Sequence, residues 1–172
     1  HRKENADNHI GWEKVNVIEI VACISPSARS LKLVNCGVTK HHIPKLCNSI
    51  RRKLPGLKKL SLRQNFGLDG GYQQLFALPG IKILDLSLCD LDPTDGAMIA
   101  QVLEKFENVG LQYLNLSGNY RLSSSVPDIV RVAGTRLVGM DCSFCGINAK
   151  SQRIIFDILA GESLPPSIIH SD

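Results

Sequence analysis

The chain has 172 residues, 44% hydrophobic and only 5% aromatic, with a formal net charge of +4 at pH 7. That length and apolar content are enough to bury one substantial core, and no composition shift marks a second domain. No run of about 18 apolar residues is present, which excludes a membrane-spanning helix, and no Gly-x-x-x-x-Gly-Lys phosphate loop occurs.

Residues 1–9 are polar and read as a loose end. From Ile10 to Ile24, Trp12, Val15, Ile18 and Val21 recur at helical spacing. This stretch is either the helix of an earlier, truncated unit or a cap over the first strand, and Pro26 ends it. With no secretory leader ahead of His1, the chain reads as an excised domain whose flanks are missing. Thr39 is placed to cap a helix running to about Lys53, with Pro44 restricting its first turn. Gly70 to Ala77 has room for no more than two turns. Asp92-Pro93-Thr94-Asp95 supplies a cap, a first-position proline and an early acid ahead of a helix over Ala97 to Phe106. Ser124 or Ser125 precedes a turn or two through Val132, and Asn148 opens a helix over Ala149 to Ala160 that Gly161 closes. Ser163-Leu-Pro-Pro-Ser then reads as a linker, and residues 162–172 as a flexible tail.

Between these helices one spacing returns. It is clearest in Leu111-Gln-Tyr-Leu114-Asn-Leu116-Ser-Gly-Asn119, continued to Leu122. Leu114 and Leu116 stand two apart and so face the same way from an extended segment, while Tyr113, Asn115 and Ser117 face the other way. The same frame fits Ala28, Leu31, Leu33, Cys36, Val38; Leu57, Leu60, Leu62, Asn65, Leu68; Ile81, Leu84, Leu86, Cys89, Leu91; and Leu137, Met140, Cys142, Cys145, Ile147. The units start at 28, 57, 81, 111 and 137, at intervals of 29, 24, 30 and 26 residues. A unit of this kind cannot cover its own leucines and must stack on copies of itself.

Leucines at the first, fourth and sixth places with a polar residue three further on are the mark of a leucine-rich repeat. The polar place alternates: Cys36, Asn65, Cys89, Asn119, Cys145. Over about residues 28–160 the chain resembles the ribonuclease-inhibitor-like class of leucine-rich-repeat proteins, where Cys-type and Asn-type repeats alternate. The resemblance implies an α/β solenoid with a curved parallel sheet on the concave side and helices on the convex side. Residues 1–27 would then be a cap or the remnant of a preceding repeat, 28–161 the five-repeat domain and 162–172 the tail. The unequal periods and the fifth unit, with Met140 and Cys142 in place of leucines, depart from the class pattern. Such proteins include enzyme inhibitors, innate-immune sensors, GTPase activators, actin-filament regulators and centrosomal scaffolds.

The six cysteines bear on compartment. Cys36 and Cys89, two repeats apart, would be separated by roughly 10 Å, beyond the ~7 Å between Cα atoms that a disulfide spans. Cys23 and Cys47 fall in apolar helical stretches and Cys142 points inward, so buried free thiols in a reducing compartment account for all six. Cys142-Ser-Phe-Cys145 as a redox or half-zinc motif is set aside, because no second such pair exists.

In this frame the outward strand rows are Ser30, Lys59, Ile83, Tyr113, Gly139; then Lys32, Ser61, Asp85, Asn115, Asp141; then Val34, Arg63, Ser87, Ser117, Ser143. Asn35, Gln64, Leu88, Gly118 and Phe144 follow at the strand ends. Apolar residues here are unusual for a solvent-facing row, which makes Ile83 beside Tyr113, and Leu88 with Phe144, candidate anchors for a partner. The expected partner-binding set is Lys59, Arg63, Ile83, Asp85, Leu88, Tyr113, Asn115, Asp141 and Phe144. Eight Lys or Arg and no acid lie between Lys40 and Arg63, against six acids and one Lys between Asp85 and Glu107. With few aromatics to stack bases, the basic end reads as a solvated helix face or a site for an acidic protein, not for nucleic acid.

Catalysis, metals and cofactors are not expected. Asp85 and Asp141 would lie roughly 10 Å apart on an open face, with nothing to raise one pKa. Adjacent His41 and His42 diverge on a helix by about 100°, and no third ligand is in reach. The reading is a non-catalytic protein-interaction domain of a larger intracellular scaffold or adaptor, cytoplasmic or nuclear, monomeric, binding a protein partner on its concave face. The alternatives are a structural self-association module, or a regulatory domain of the cytoskeletal or centrosomal, ubiquitin-ligase-adaptor or GTPase-regulator kind.

Overall fold

The computed structural model describes residues 17–105, 110–134 and 136–161. Five three-residue strands, β1 (Ser30–Lys32), β2 (Lys59–Ser61), β3 (Ile83–Asp85), β4 (Tyr113–Asn115) and β5 (Gly139–Asp141), alternate with helices. The helices are α1 (Val17–Cys23), α2 (Ile43–Lys53), α3 (Tyr72–Phe76), α4 (Pro93–Lys105), α5 (Val126–Ala133) and α6 (Ala149–Gly161). A 3-10 segment, Tyr120–Ser125, leads into α5. Each strand begins two residues after the first position of its repeat unit.

The strands pair in parallel, in chain order, as one sheet of an α/β fold. Leu31, Leu60, Leu84, Leu114 and Met140 are register partners across it. They are buried together with Leu33, Leu62, Leu86, Leu116 and Cys142, and the helices close over them with Leu46, Ile50, Leu75, Ile99, Leu103, Ile129 and Ile155. Each buried leucine contributes roughly 1.5–3 kcal/mol, and a three-residue strand has too few ladder bonds to persist without that layer.

Two helix starts follow their sequence signals. Asp92 Oδ1 accepts the N–H of Thr94 and of Asp95, and Asp95 Oδ2 accepts the N–H of Asp92, so the two acids cap α4 reciprocally. Asn148 Oδ1 accepts the Ser151 N–H ahead of α6. Two starts differ. The α2 helix begins at Ile43 and not directly after Thr39, since Pro44 sits in its first turn. Thr39 meets the Nδ1 of His42 through both its N–H and its hydroxyl. At α5 Ser125 makes no capping bond and instead donates its hydroxyl to the Leu122 carbonyl at 2.7 Å.

The expected helix over Ile10 to Ile24 is represented by α1, which buries Val17 and Val21 and packs on α2. Its first residues, the loose end at 1–9, Phe106 and the tail at 162–172 lie outside the described residues. The expectation of six buried thiols needs correction: Cys47, Cys89, Cys142 and Cys145 are buried, Cys36 is half-buried and Cys23 is exposed, all of them free. Cys23 ends α1 two residues past the buried Val21, which turns it to the opposite side of the helix.

Alternation at the polar position has a hydrogen-bonding cause. Asn65 Oδ1 accepts the N–H groups of Cys36 and Val38 in the preceding unit, while its Nδ2 donates to the Leu33 and Leu62 carbonyls. Asn119 repeats this with Cys89, Leu91, Leu86 and Leu116. A thiol has a single weak donor. Cys89 gives it to the Leu62 carbonyl at 3.2 Å and Cys145 to that of Leu116 at 3.1 Å. An amide therefore staples the preceding unit at three points and its own strand end at a fourth, and a thiol staples the preceding unit at one, with a second weak contact from Cys89 to the Ser87 carbonyl.

Candidate protein-binding face

Alternation along each strand sends one residue into the core and its neighbours to the other side of the sheet. The rows read from the sequence are the observed register: Ser30, Lys59, Ile83, Tyr113 and Gly139 are successive partners, as are Lys32, Ser61, Asp85, Asn115 and Asp141. Lys59 and Arg63 are exposed, Tyr113 is 44% exposed, and Ile83, Asp85, Leu88, Asn115 and Asp141 are half-buried. Ile83 and Tyr113 stand side by side on β3 and β4.

Three residues expected on the open face are covered: Ser61, Ser87 and Gly139 are buried. For Ser61 and Ser87 the cause is the Asp85 carboxylate, the first member of a bonding pattern that recurs in the last three repeats. Asp85 Oδ1 accepts the N–H of Ser87 at 3.0 Å and its hydroxyl at 2.6 Å, and Oδ2 takes the Ser61 hydroxyl at 2.7 Å. Asn115 Oδ1 holds the N–H and hydroxyl of Ser117, and Asp141 Oδ1 those of Ser143. These three polar side chains brace the backbone just past their strands.

Just past the strands every unit turns through the left-handed region, at Asn35, Gln64, Leu88, Gly118 and Phe144. Asn and Gly tolerate that conformation; bulky side chains pay strain there. Leu88 (φ 56) and Phe144 (φ 54) adopt it nonetheless, and Phe144 is 70% exposed, so the core gains little from its ring. Leu88 leans over Gly118, where a Cβ would overlap its side chain.

Two further aromatics belong to this rim and were missed from the sequence. Phe66 is 60% and Tyr120 68% exposed. Each directly follows a ladder asparagine, at the places where the loop departs from the Cys-type path. Repeat two carries an extra residue there, and repeat four enters its 3-10 segment. An aromatic immediately after Asn65 and Asn119 was the available signal.

The buried thiols are inert. Desolvation pushes Cys89 and Cys142 up to about 11 and Cys47 and Cys145 up to about 12, so they stay protonated and poorly nucleophilic near neutrality. The carboxylates of Asp85 and Asp141 are occupied by hydroxyl and N–H donors of their own chain. Among the described residues no helix is long and apolar enough to cross a membrane. The family model for the Leucine Rich Repeat matches residues 110–131. That segment holds β4, Asn119 and the first turns of α5, so the chain carries a leucine-rich repeat in its fourth unit.

Proposed function

We propose that the chain is a non-catalytic protein-interaction domain, part of a larger intracellular scaffold or adaptor, that receives a protein partner on the helix-free, concave face of a five-repeat solenoid spanning residues 28–161. Leucine-rich-repeat domains generally mediate protein–protein interaction. The observation that carries the reading here is the apolar pair Ile83 and Tyr113, adjacent in register on that face and flanked by Lys59, Arg63, Asp85, Asn115 and Asp141. Leu88 and Phe144 extend the surface past the strand ends in strained backbone that folding alone does not reward. The alternation of amide and thiol staples favours the ribonuclease-inhibitor-like class, and the protonated, buried thiols fit a reducing compartment.

Affinity capture on the immobilised chain tests this. The double variant Ile83→Asp, Tyr113→Asp is expected to lose the captured partner while retaining the parent circular dichroism. Unchanged capture would move the contact to the helices. Self-association is the second reading, favoured by Val138, Phe144 and Phe156, each exposed at the β5 end of the array. Light scattering across a range of concentrations separates the two, since the first predicts a monomer.

A further inference from the structure

The residues immediately before the strands form a row of their own. The Arg29 carbonyl accepts the N–H of Lys58, the Lys58 carbonyl that of Lys82, and the Lys82 carbonyl that of Gln112. Cations 29 and 24 positions apart in the chain are thereby brought to consecutive steps of one rim, about 4.8 Å from strand to strand. Each lies against the glycine that ends its own unit, directly ahead of the next one. Arg29 donates to the Gly56 carbonyl at 2.9 Å, and a Cβ on Gly56 would overlap its guanidinium. A Cβ on Gly80 would sit 3.2 Å from Lys58 Nζ, and one on Gly110 3.8 Å from Lys82 Nζ. The missing side chain at Gly56 leaves the room that the Arg29 guanidinium occupies, and Lys58 and Lys82 lie close over Gly80 and Gly110 in the same way along the rim.

Among the described residues no carboxylate reaches within 4.0 Å of Arg29, Lys58 or Lys82, and the ion pairs that do form involve Asp69, Asp90, Asp92 and Asp128. Arg51, Arg52 and Lys53, exposed on the last turn of α2, add charge where that helix leads into β2. Cations at a helix C-terminus are favoured by its dipole, so fold and charge agree in making this edge positive.

We infer that the strand-start rim, centred on Arg29, Lys58 and Lys82, is a second docking surface, which takes an acidic, Asp/Glu-rich segment of a partner protein. Charge complementarity selects an anion, and the row's length over three repeats selects an extended one. Single-stranded nucleic acid would need several base-stacking residues along the row; Tyr113 alone among the exposed aromatics of the described residues adjoins it, its N–H on the Lys82 carbonyl, while Phe66, Tyr120 and Phe144 lie past the opposite ends of the strands. The surface is separate from the concave rows, and its failure would leave the reading of Ile83 and Tyr113 untouched.

Fluorescence anisotropy with a labelled ten-residue oligoglutamate peptide tests the surface on the 172-residue chain. Binding is expected to weaken as salt rises and to fall at least tenfold in the variant Arg29→Gln, Lys58→Gln, Lys82→Gln. The control Lys150→Gln, Arg153→Gln on α6 should bind like the parent. Circular dichroism and thermal melting of both variants should match the parent, and single Lys58→Gln and Lys82→Gln variants should each show part of the loss. No binding of oligoglutamate, or equal loss in the control, overturns the inference. Tighter binding of oligouridylate or of phosphatidylserine vesicles than of oligoglutamate overturns the assignment to an acidic protein.

Discussion

The first two repeats and the last three share one backbone and use its outward positions differently. In β3, β4 and β5 the second row is Asp85, Asn115 and Asp141, each closed onto the N–H and hydroxyl of a serine two residues on. In β1 and β2 the same places hold Lys32 with Val34 and Ser61 with Arg63, and Lys32, Val34 and Arg63 are exposed. One half of the face is a preorganised polar surface whose hydrogen bonds are internally satisfied; the other presents exposed cations, Lys32 and Arg63. A side chain already bonded to its own chain gives shape and steadiness, and a solvated cation gives attraction at a distance.

Alkali should break the contrast most strongly. Three of the four deeply buried, upshifted thiols, Cys89, Cys142 and Cys145, lie in the second half, and Cys47 alone in the first. A thiol whose folded pKa stands above its ordinary value of 9.0 contributes stability that is complete below pH 9 and is lost as pH rises through about 11–12. Each should cost about 1.4 kcal/mol per pH unit in that window. The melting temperature should therefore fall steeply above pH 9, with amide exchange accelerating first around β3 to β5, before the buried Tyr72 phenol of the second repeat, raised from its ordinary 10.0, adds its own loss at higher pH. Uniform acceleration across all five strands would contradict the asymmetry.

Next in size is the ladder. Asn119→Ala leaves the Cys89 and Leu91 N–H groups and the Leu86 and Leu116 carbonyls without the amide that pairs them, for an expected loss of at least about 4 kcal/mol in urea denaturation, at about 1–3 kcal/mol per orphaned group. Cys145→Ala, which removes one weak donor and a small side chain, should cost only about 1–2 kcal/mol. Comparable midpoints for the two variants would refute the difference between amide and thiol staples.

A smaller effect separates the halves directly. Asp85→Ala frees the Ser87 and Ser61 hydroxyls and the Ser87 N–H, and should destabilise by about 1–3 kcal/mol. Arg63→Ala, on an exposed side chain, should stay within about 0.5 kcal/mol of the parent while slowing partner association at low salt. A melting shift from Arg63→Ala as large as that from Asp85→Ala would erase the distinction.

Much of this was legible in the sequence because it depends on local period. Leucine spacing carried the strand positions and the register of the outward rows, and Asp92-Pro93 and Asn148 carried two helix starts. What escaped depends on contacts across repeats or on competition between local signals. Thr39 lost the α2 start to Pro44 and to a partner, His42, that no spacing rule supplies. Ser87 looked outward by alternation, yet the carboxylate of Asp85 draws it under cover. Phe66 and Tyr120 sit where two loops leave the common path, and the rim formed by Arg29, Lys58 and Lys82 emerges only when strands far apart in the chain are laid side by side.

The direction in which the asparagines reach has a bearing on how such an array can change in length. Each amide serves the unit that comes before it, and each thiol asks less of its predecessor, so a Cys-type unit and the Asn-type unit after it behave as one mechanical module. Excising a single unit would set two like staples against each other and strand a loop, whereas removing or duplicating a matched couple keeps every junction of a kind already present. Growth and shortening by twos is the course this bonding pattern permits.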